Sequence, residues 1–451
     1  MQNAVHERVR MLATMLLTAA FVVSGHPLMA QVKVAPVNGI WAEDSTTDIG
    51  KTFGNKTFEG FKIRGWVSTY YNHRTSNGSQ GQLIGGRVYD IRDQSFAVEQ
   101  AKIEMEKVPE LGSGGFKLDL GYGDGPDQTF QRVANAQGAN ADSPTGRTMM
   151  HATVGYLADI GSGLRIDVGK MQTHIGNEYA DSIKNLNFSH DFIYTFGIPY
   201  NQTGVRLNYK VNEHFTGELY VLNGWNTHYA INKGKAVAPS VQWAFGPLSG
   251  AVNYFGGQET DAGTGQPPIP GVGPGAQPNS TFAAGTRSTL RQLFDTQVLF
   301  MQGPWTLQGA AVYGTQKGVM TQSPVAGAVP PSAADTRTVK WWGTAVYAAF
   351  KINERHQPAL RWEQYMDPNN YTTQQATTIT VPGGAGSPWN SVATRFNSLT
   401  LTWNYKPAAH LLLRPEVRVD HANRRTSLQL DNHGRPVATN ATIGANAIFY
   451  F

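Results

Sequence analysis

The sequence predicts an all-β fold, a transmembrane antiparallel up-and-down β-barrel of about sixteen strands, with fourteen and eighteen as alternatives. Three observations support this fold class. Long stretches alternate between apolar and polar residues, their connections alternate between short and long, and the N-terminus resembles an export signal. Composition agrees, because only 15% of the residues are charged and 11% are aromatic, which disfavours a charged helical protein or a disordered chain.

The N-terminal residues have the organisation of a secretory signal peptide. Arg8 and Arg10 precede an apolar run at 11–23, and small Ala30 stands just before a plausible cleavage point. The run is too short to span a bilayer, which needs about 20 residues in a helix. The chain therefore divides into a signal peptide, a periplasmic N-terminal segment and a barrel, at residues 1–30, 31–58 and 59–451.

Past the signal, the chain is filled by stretches with one apolar and one polar side. In SLTLTWNY, for example, Leu399, Leu401 and Trp403 alternate with Thr400 and Thr402. Side chains alternate faces along a strand, so each stretch predicts a ribbon with one apolar face. A soluble β-sandwich alternates too, but its strands are usually about five or six residues long. These stretches run to about ten residues or more, the length of a tilted membrane crossing.

The connections alternate between tight turns, near residues 160, 212, 247, 303, 353 and 407, and long loops. The long loops are predicted at 74–94, 125–146, 173–201, 258–286, 317–336, 367–393 and 422–439. Short turns at one rim and long extracellular loops at the other are typical of outer-membrane barrels, whose turns face the periplasm. The candidate strands are 59–73, 95–107, 114–124, 147–159, 162–172, 202–211, 214–224, 238–246, 248–257, 287–301, 304–316, 337–352, 355–366, 394–405, 408–421 and 440–451.

The chain ends on ATIGANAIFYF, a period-two strand whose apolar set includes Phe449 and Phe451. The last strand of a barrel must pair with the first, because lipid cannot satisfy the hydrogen-bonding groups of an open edge. A terminal aromatic strand also resembles the signal that barrel-assembly machinery recognises in outer-membrane proteins. Phe449 and Phe451 are therefore the candidate C-terminal assembly signal.

One long connection, at 173–201, is rich in Phe and Tyr. Aromatic-rich loops tend to pack, so we expect this segment to fold into the lumen and narrow it. The alternative is a folded loop on the extracellular surface.

Several stretches match motifs of a known family. SFAVEQAKIEMEK (95–107) is similar to its second-strand motif, and GFKLDLGYGD (115–124) to the strand that follows. LRIDVGKMQTHIG (164–176) and FSHDFIYTFGIPYNQTG (188–204) resemble its central motif, and LNGW (222–225) its Asn-Gly-Trp loop entry. The family is that of the OmpL-like β-barrel porins. The resemblance implies a barrel and a pore without implying a particular solute.

A barrel of sixteen to eighteen strands leaves a water-filled channel lined by inward-facing polar residues. Positive and negative side chains on opposed walls set a transverse field that selects small solutes by size and charge. The alternative is cross-strand pairing that only neutralises buried charge. The candidate pore-lining residues are Lys62, Arg64, Lys102, Glu104, Glu106, Lys117, Asp119, Arg165, Asp167, Arg361, Glu363, Arg414, Glu416 and Arg418.

Motifs for catalysis or metal binding are scarce. The sequence contains no nucleophile elbow, zinc-protease helix or phosphate loop. Adjacent residues rarely form a catalytic triad, which argues against the hydrolase-like types Asn187, Ser189, His190 and Asp191. Asp124 and Asp127 lack the full ligand spacing of a calcium loop and more often mark a turn. We therefore expect no catalytic residue, no metal and no cofactor.

Together these observations predict an outer-membrane porin, a passive channel for small hydrophilic solutes or ions. The alternatives are a hydrolase with its site at the extracellular rim and an adhesin or receptor built on the long loops. The absence of cysteine suits export through an oxidising compartment, and no basic patch interleaved with aromatics indicates nucleic-acid binding. The expected partners are outer-membrane lipid, barrel-assembly machinery and the solutes, and the sequence leaves the oligomeric state open.

Overall fold

The computed structural model is a closed antiparallel β-barrel of sixteen strands. It describes residues 47–48, 60–75, 83–130, 132–134, 140–142, 148–228, 230, 233–260, 288–320, 336–369, 371–373, 394–431 and 436–451. The strands are β1 (Phe61–Arg74), β2 (Phe96–Lys107), β3 (Gly114–Tyr122), β4 (Met149–Ala158), β5 (Leu164–Gln172), β6 (Asn201–Lys210), β7 (Phe215–Leu222), β8 (Ala236–Phe245), β9 (Leu248–Thr260), β10 (Ser288–Gln302), β11 (Trp305–Met320), β12 (Thr336–Phe350), β13 (His356–Asp367), β14 (Thr394–Ala408), β15 (Leu411–Leu430) and β16 (Pro436–Tyr450).

Each strand pairs with its neighbours along the chain, and β16 pairs with β1 to close the barrel. The closing ladder runs from the pair Thr442 and Arg74 to the pair Tyr450 and Trp66. Closure leaves no open edge facing lipid, as the membrane requires. The predicted fold class and strand count are confirmed.

The predicted loop at 422–439 is wrong in its extent. β15 continues to Leu430, and its pairing with β16 persists through Thr426 with Val437 and Leu430 with Pro436. A hairpin that projects beyond the bilayer faces water on both sides, so it needs no apolar alternation. The polar stretch ANRRTS therefore looks like a loop in the sequence although it forms strand.

Helical structure is short in the part of the chain that the structure describes. An α-helix, α1, spans Asp124–Phe130, a 3₁₀ turn spans Ser182–Lys184, and a π-helical turn spans Ile193–Gly197. No described helix has both the length and the apolar character needed to cross a bilayer. Two three-residue strands, Arg132–Ala134 and Asn140–Asp142, pair with each other outside the barrel sheet.

The N-terminal predictions lie mostly outside the described residues. The signal peptide at 1–30 is wholly outside them, so its cleavage stays a prediction. Within the predicted periplasmic segment at 31–58, the described residues are Thr47–Asp48, which pair with Ile63 and Lys62 at the short-turn end of β1.

The period-two pattern correctly separates the outer and inner faces. Leu399 and Leu401 are 50% and 53% exposed on the outer face, whereas Thr400 and Thr402, which alternate with them, are fully buried. An inward-facing residue of β14 is therefore surrounded by protein at this level.

Phe451 continues the closing ladder by one residue. Its backbone N–H donates to Gly65 O at 2.9 Å and its carbonyl accepts from Gly65 N–H at 3.0 Å. The ring lies over Gly65, where an added Cβ would approach Phe451 Cζ to 2.7 Å and Lys102 O to 2.9 Å. Glycine at position 65 therefore makes room for the terminal aromatic ring.

Leu401→Arg should destabilise the barrel by ~2–4 kcal/mol, because Leu401 lies at the middle of β14 on the lipid face. The matched control is Ala408→Arg, which places the same charge at the periplasmic end of the same strand and should cost ~0–1 kcal/mol. Urea unfolding of the barrel folded into lipid vesicles measures both. Equal losses in the free energy of unfolding would mean that Leu401 lies no deeper in the bilayer than Ala408.

Gly65→Ala should weaken the closing ladder by ~1–3 kcal/mol, because the new methyl group displaces the Phe451 ring. Gly309→Ala is the control, since an added Cβ at Gly309 on β11 meets nothing within 4 Å. The measurement is the fraction of heat-modifiable, folded barrel in the outer membrane. Normal assembly of both variants would show that the ring contact is dispensable.

Candidate functional site

The segment at residues 173–200, between β5 and β6, folds into the lumen. Its aromatic side chains Phe188, Phe192, Tyr194 and Phe196 are each at most 3% exposed. The Trp341 indole of β12 donates to Gly197 O at 3.0 Å across the barrel interior. The inward interpretation of this segment is therefore correct, and we call residues 173–200 the internal segment.

Three arginines of the barrel wall bind the carbonyl groups of the internal segment. Arg414 Nη1 donates to Ser182 O at 2.8 Å. Arg361 Nη1 donates to Ser189 O at 2.5 Å, and Arg418 Nη1 donates to His190 O at 2.5 Å. All three guanidinium groups are at most 1% exposed. They donate hydrogen bonds to backbone carbonyl groups of an irregular segment that forms no ladder with itself at these positions.

Two wall carboxylates bind the N–H groups of the same segment. Glu416 accepts from Phe188 N–H at 2.8 Å, and Glu363 accepts from Phe192 N–H at 2.5 Å. The segment contributes its own acid, Glu178, which pairs with Arg361 at 2.8 Å. Charges of both signs therefore tie the internal segment to β13 and β15.

A second layer packs above the internal segment toward the long loops. The Tyr89 ring lies 4.3 Å from the His190 ring, and Tyr89 is fully buried. Helix α1 closes over Tyr89, because a Cβ added at Gly125 would lie 2.0 Å from the Tyr89 ring. Tyr89 belongs to the loop between β1 and β2. A buried ion pair between Arg74 and Asp93, at 2.9 Å, fixes this loop to β1.

A group of partly exposed cations lies on the inner face of β1–β6, in the half of the lumen near the short turns. We call Arg64, Lys117, Arg165 and Arg206 the basic wall. Each keeps 22–25% of its side-chain surface exposed. Their partners Glu104, Asp119 and Asp167 are at most 3% exposed. In each of these pairs the cation is therefore the more exposed partner and the acid is the more buried one.

One buried acid positions two members of the basic wall. Asp167 accepts from Arg165 Nε at 3.0 Å and from Arg206 Nη2 at 2.6 Å. Glu218 lies 3.9 Å from Arg206 Nη1, but its two oxygens accept from Asn208 at 2.7 Å and Tyr220 at 2.8 Å. Both guanidinium groups are thus oriented by their Nε edges.

A second group of cations lies where the basic wall meets the internal segment. Lys102 Nζ contacts Asp181 at 2.6 Å, Glu104 at 2.8 Å and Asp119 at 3.1 Å. Lys184 of the internal segment contacts Asp181 at 2.7 Å. These shared ion pairs fix the 3₁₀ turn of the segment against β2.

The fourteen candidate pore-lining residues all project into the barrel, but they divide by environment. Five are half-buried or exposed at the near-turn half of the lumen, namely Lys62, Arg64, Glu106, Lys117 and Arg165. Nine are buried, namely Lys102, Glu104, Asp119, Asp167, Arg361, Glu363, Arg414, Glu416 and Arg418. Arg414 and Arg418 contact the internal segment instead of water, so their main physical role is to anchor it. Conduction past any of the fourteen stays a prediction.

Two residues of this site, Arg206 and Glu99, are absent from the pore-lining candidates that the sequence provided. Arg206 stands in the clean alternation VRLNYK and the pattern alone could have supplied it. Glu99 could not be found this way, because a β-bulge leaves it unpaired between the pairs Ser68–Gln100 and Thr69–Val98. Both Glu99 and Gln100 therefore face the lumen, where Glu99 accepts from Ser182 at 3.0 Å.

The hydrolase-like residues of the internal segment have separate, structural partners. Ser189 Oγ lies 3.3 Å from Arg418 Nη1, whereas His190 Nε2 lies 2.8 Å from Tyr179 O. Ser189 Oγ and His190 Nε2 therefore each engage a structural partner instead of one another.

The carboxylates considered for calcium also have other partners. Asp124 accepts from Tyr70 OH at 2.7 Å and pairs with Arg92 at 2.9 Å, at the start of helix α1. Among the described residues, no group of three or more His, Cys, Asp or Glu side chains could hold a metal ion.

The sequence from residue 60 to residue 451 matches the family model described as "Putative beta-barrel porin-2, OmpL-like". The chain belongs to this family of β-barrel porins. It is accordingly an outer-membrane protein of the passive-channel class. No curated protein matches the sequence.

Solved porin structures share the fold at low sequence identity. OprB of Pseudomonas putida superposes with a TM-score of 0.51 at 12% identity, covering 92% of this chain and 99% of its own. The anion-selective porin of Comamonas acidovorans gives a TM-score of 0.50 at 10% identity, covering 87% and 99%. Similarity at this level establishes the barrel architecture only.

Arg361→Gln should loosen the internal segment, because Glu178 and Glu363 lose a buried cationic partner. Breaking a buried ion pair costs ~3–5 kcal/mol. Hydrogen exchange of peptides from residues 173–200 should rise strongly, while exchange in β3–β7 changes little. Arg355→Gln, in the exposed turn before β13, is the control and should leave exchange unchanged. Equal protection in both variants would show that Arg361 does not anchor the segment.

Proposed function

We propose that the barrel conducts small hydrophilic solutes and ions along the basic wall, between β1–β6 and the internal segment. The observation that supports this path most strongly is the exposure of Arg64, Lys117, Arg165 and Arg206 to water, at 22–25% of each side chain. The strands on the far side, β12–β15, are covered by the internal segment through buried hydrogen bonds.

Polar residues continue this line toward the long-loop end. His151 pairs with Asp119 across β3 and β4, and Gln172 donates to the Asp119 carboxylate at 3.1 Å. Both side chains are half-buried. A path lined by hydrogen-bonding groups and charges favours hydrated solutes over apolar ones.

A second function, that of a receptor or adhesin built on the long loops, draws support from the packing of the internal segment and the layer above it. Packed segments narrow the lumen and present an ordered outer surface. The two functions differ in a simple observable, since a pure receptor needs no ion conduction through the folded barrel. Partners such as the barrel-assembly machinery, and export by the N-terminal signal, remain predictions.

Arg165→Cys, labelled with a bulky water-soluble maleimide, should reduce single-channel conductance in planar bilayers. The chain has no cysteine of its own, so the introduced thiol is the only one that reacts. Thr400→Cys is the control, because position 400 faces inward but is fully buried against Arg361. Its conductance should not change on treatment.

No conductance from well-folded unmodified protein would contradict the channel and favour the receptor. Conductance that is insensitive to labelling at position 165 would contradict the path along the basic wall. Loss of conductance from the labelled Thr400→Cys variant would place the path through the covered side.

A further inference from the structure

We propose that Arg165 and Arg206 form a binding subsite for small oxyanions, meaning solutes that carry a phosphate or a carboxylate group. The proposal rests on the function proposed above and names the class of solute that its path favours. It starts from the way Asp167 holds the two guanidinium groups.

The two arginines stand side by side on neighbouring strands. Asp167 on β5 is the cross-strand partner of Arg206 on β6, and Arg165 lies two residues from Asp167 on the same face. Arg165 Nε lies 3.1 Å and 3.0 Å from the two Asp167 oxygens, and Arg206 Nε lies 3.0 Å from Oδ2. The acid is 1% exposed, so it fixes both side chains without competing for ligand at the water surface.

Arg165 and Arg206 keep N–H groups outside their contacts with Asp167, and their side chains stay 23% and 25% exposed. Arg206 also has the Tyr220 hydroxyl as a hydrogen-bond partner. Asp167 engages Arg165 through Nε, and Glu218 lies at 3.9 Å from Arg206 Nη1, beyond hydrogen-bond distance. An arginine presents five N–H donors in a planar fork that matches the oxygens of phosphate and carboxylate. Two forks held together can therefore bind an oxyanion with several charge-assisted hydrogen bonds.

The surrounding charges favour an anion at this position. Lys117 lies on the same inner face two strands away, at 22% side-chain exposure. Asp119, which faces Lys117 at 3.9 Å, is fully buried and is also bound to Lys102. Glu106, the cross-strand partner of Lys117 on β2, is itself half-buried. Beside Arg165 and Arg206, however, the acids Asp167 and Glu218 are at most 4% exposed, so an anion in the lumen meets the two guanidinium groups before it meets these acids.

The test is equilibrium binding of inorganic phosphate and of acetate to the detergent-solubilised full-length barrel, by titration calorimetry at constant ionic strength. The triple variant Arg165→Gln, Asp167→Asn, Arg206→Gln removes both forks and the acid that would otherwise stay buried and unpaired. It should weaken phosphate binding by about tenfold or more, which is a loss of about 1.4 kcal/mol or more in binding free energy. The double variant Arg165→Lys, Arg206→Lys keeps the charge, loses the forks, and should also bind more weakly.

Lys210→Gln is the matched control. Lys210 is half-buried on the same face of β6, and its loss removes one net positive charge, the same net change as in the triple variant. It should leave phosphate binding within about twofold of the original affinity. Equal weakening in the triple variant and the control would overturn the subsite, because a general charge effect would then explain the binding.

Recordings of ion current through the barrel in planar bilayers separate this proposal from the porin function. Phosphate binding without ion conduction would keep the subsite and contradict the channel. Conduction without any binding of phosphate or acetate would keep the channel and overturn the subsite. Binding of phosphate alone would restrict the ligand to tetrahedral oxyanions, and binding of both would extend it to carboxylates.

Discussion

Buried irregular backbone must find its hydrogen-bond partners on neighbouring protein groups, and this constraint organises the covered side of the lumen. The internal segment has no ladder of its own over most of its length, so the barrel wall supplies its partners. Arg361, Arg414 and Arg418 bind its carbonyls, and Glu363 and Glu416 bind its N–H groups. Charges that look like a channel lining in the sequence therefore serve as the hydrogen-bonding frame of an inserted loop.

This frame explains why the charges of the lumen have two environments. Charges that bind the segment are buried and paired, and removing one partner leaves another without compensation. In several ion pairs on β1–β6 the acid lies deep and the cation reaches the water, as Asp167 and Arg165 show at 2% and 23% side-chain exposure. The same composition of charges thus produces a structural cluster on one side of the lumen and an electrostatic surface on the other.

The sequence supplied the fold because a barrel strand repeats a two-residue pattern that is readable over ten residues or more. The pattern predicts on which face of a strand a side chain lies, but it does not predict whether water reaches that side chain. It therefore placed Arg165 and Arg418 in one class, although Arg165 meets water and Arg418 is buried. It also fails where the register changes, as at the bulge that brings Glu99 inward. Pairing over long sequence separations, such as Arg361 with Glu178, has no local pattern at all.

The fixed position of the internal segment also bears on how solutes could pass. Opening the covered side would break the buried contacts of Arg361, Glu363 and Arg418 together, at ~3–5 kcal/mol for each buried pair. A path along the basic wall requires no such rearrangement. The walls there have a low dielectric constant, which strengthens the field of nearby charges in the water between them. At 0.1 M salt the Debye length is about 10 Å, so these cations act on ions that pass within about that distance.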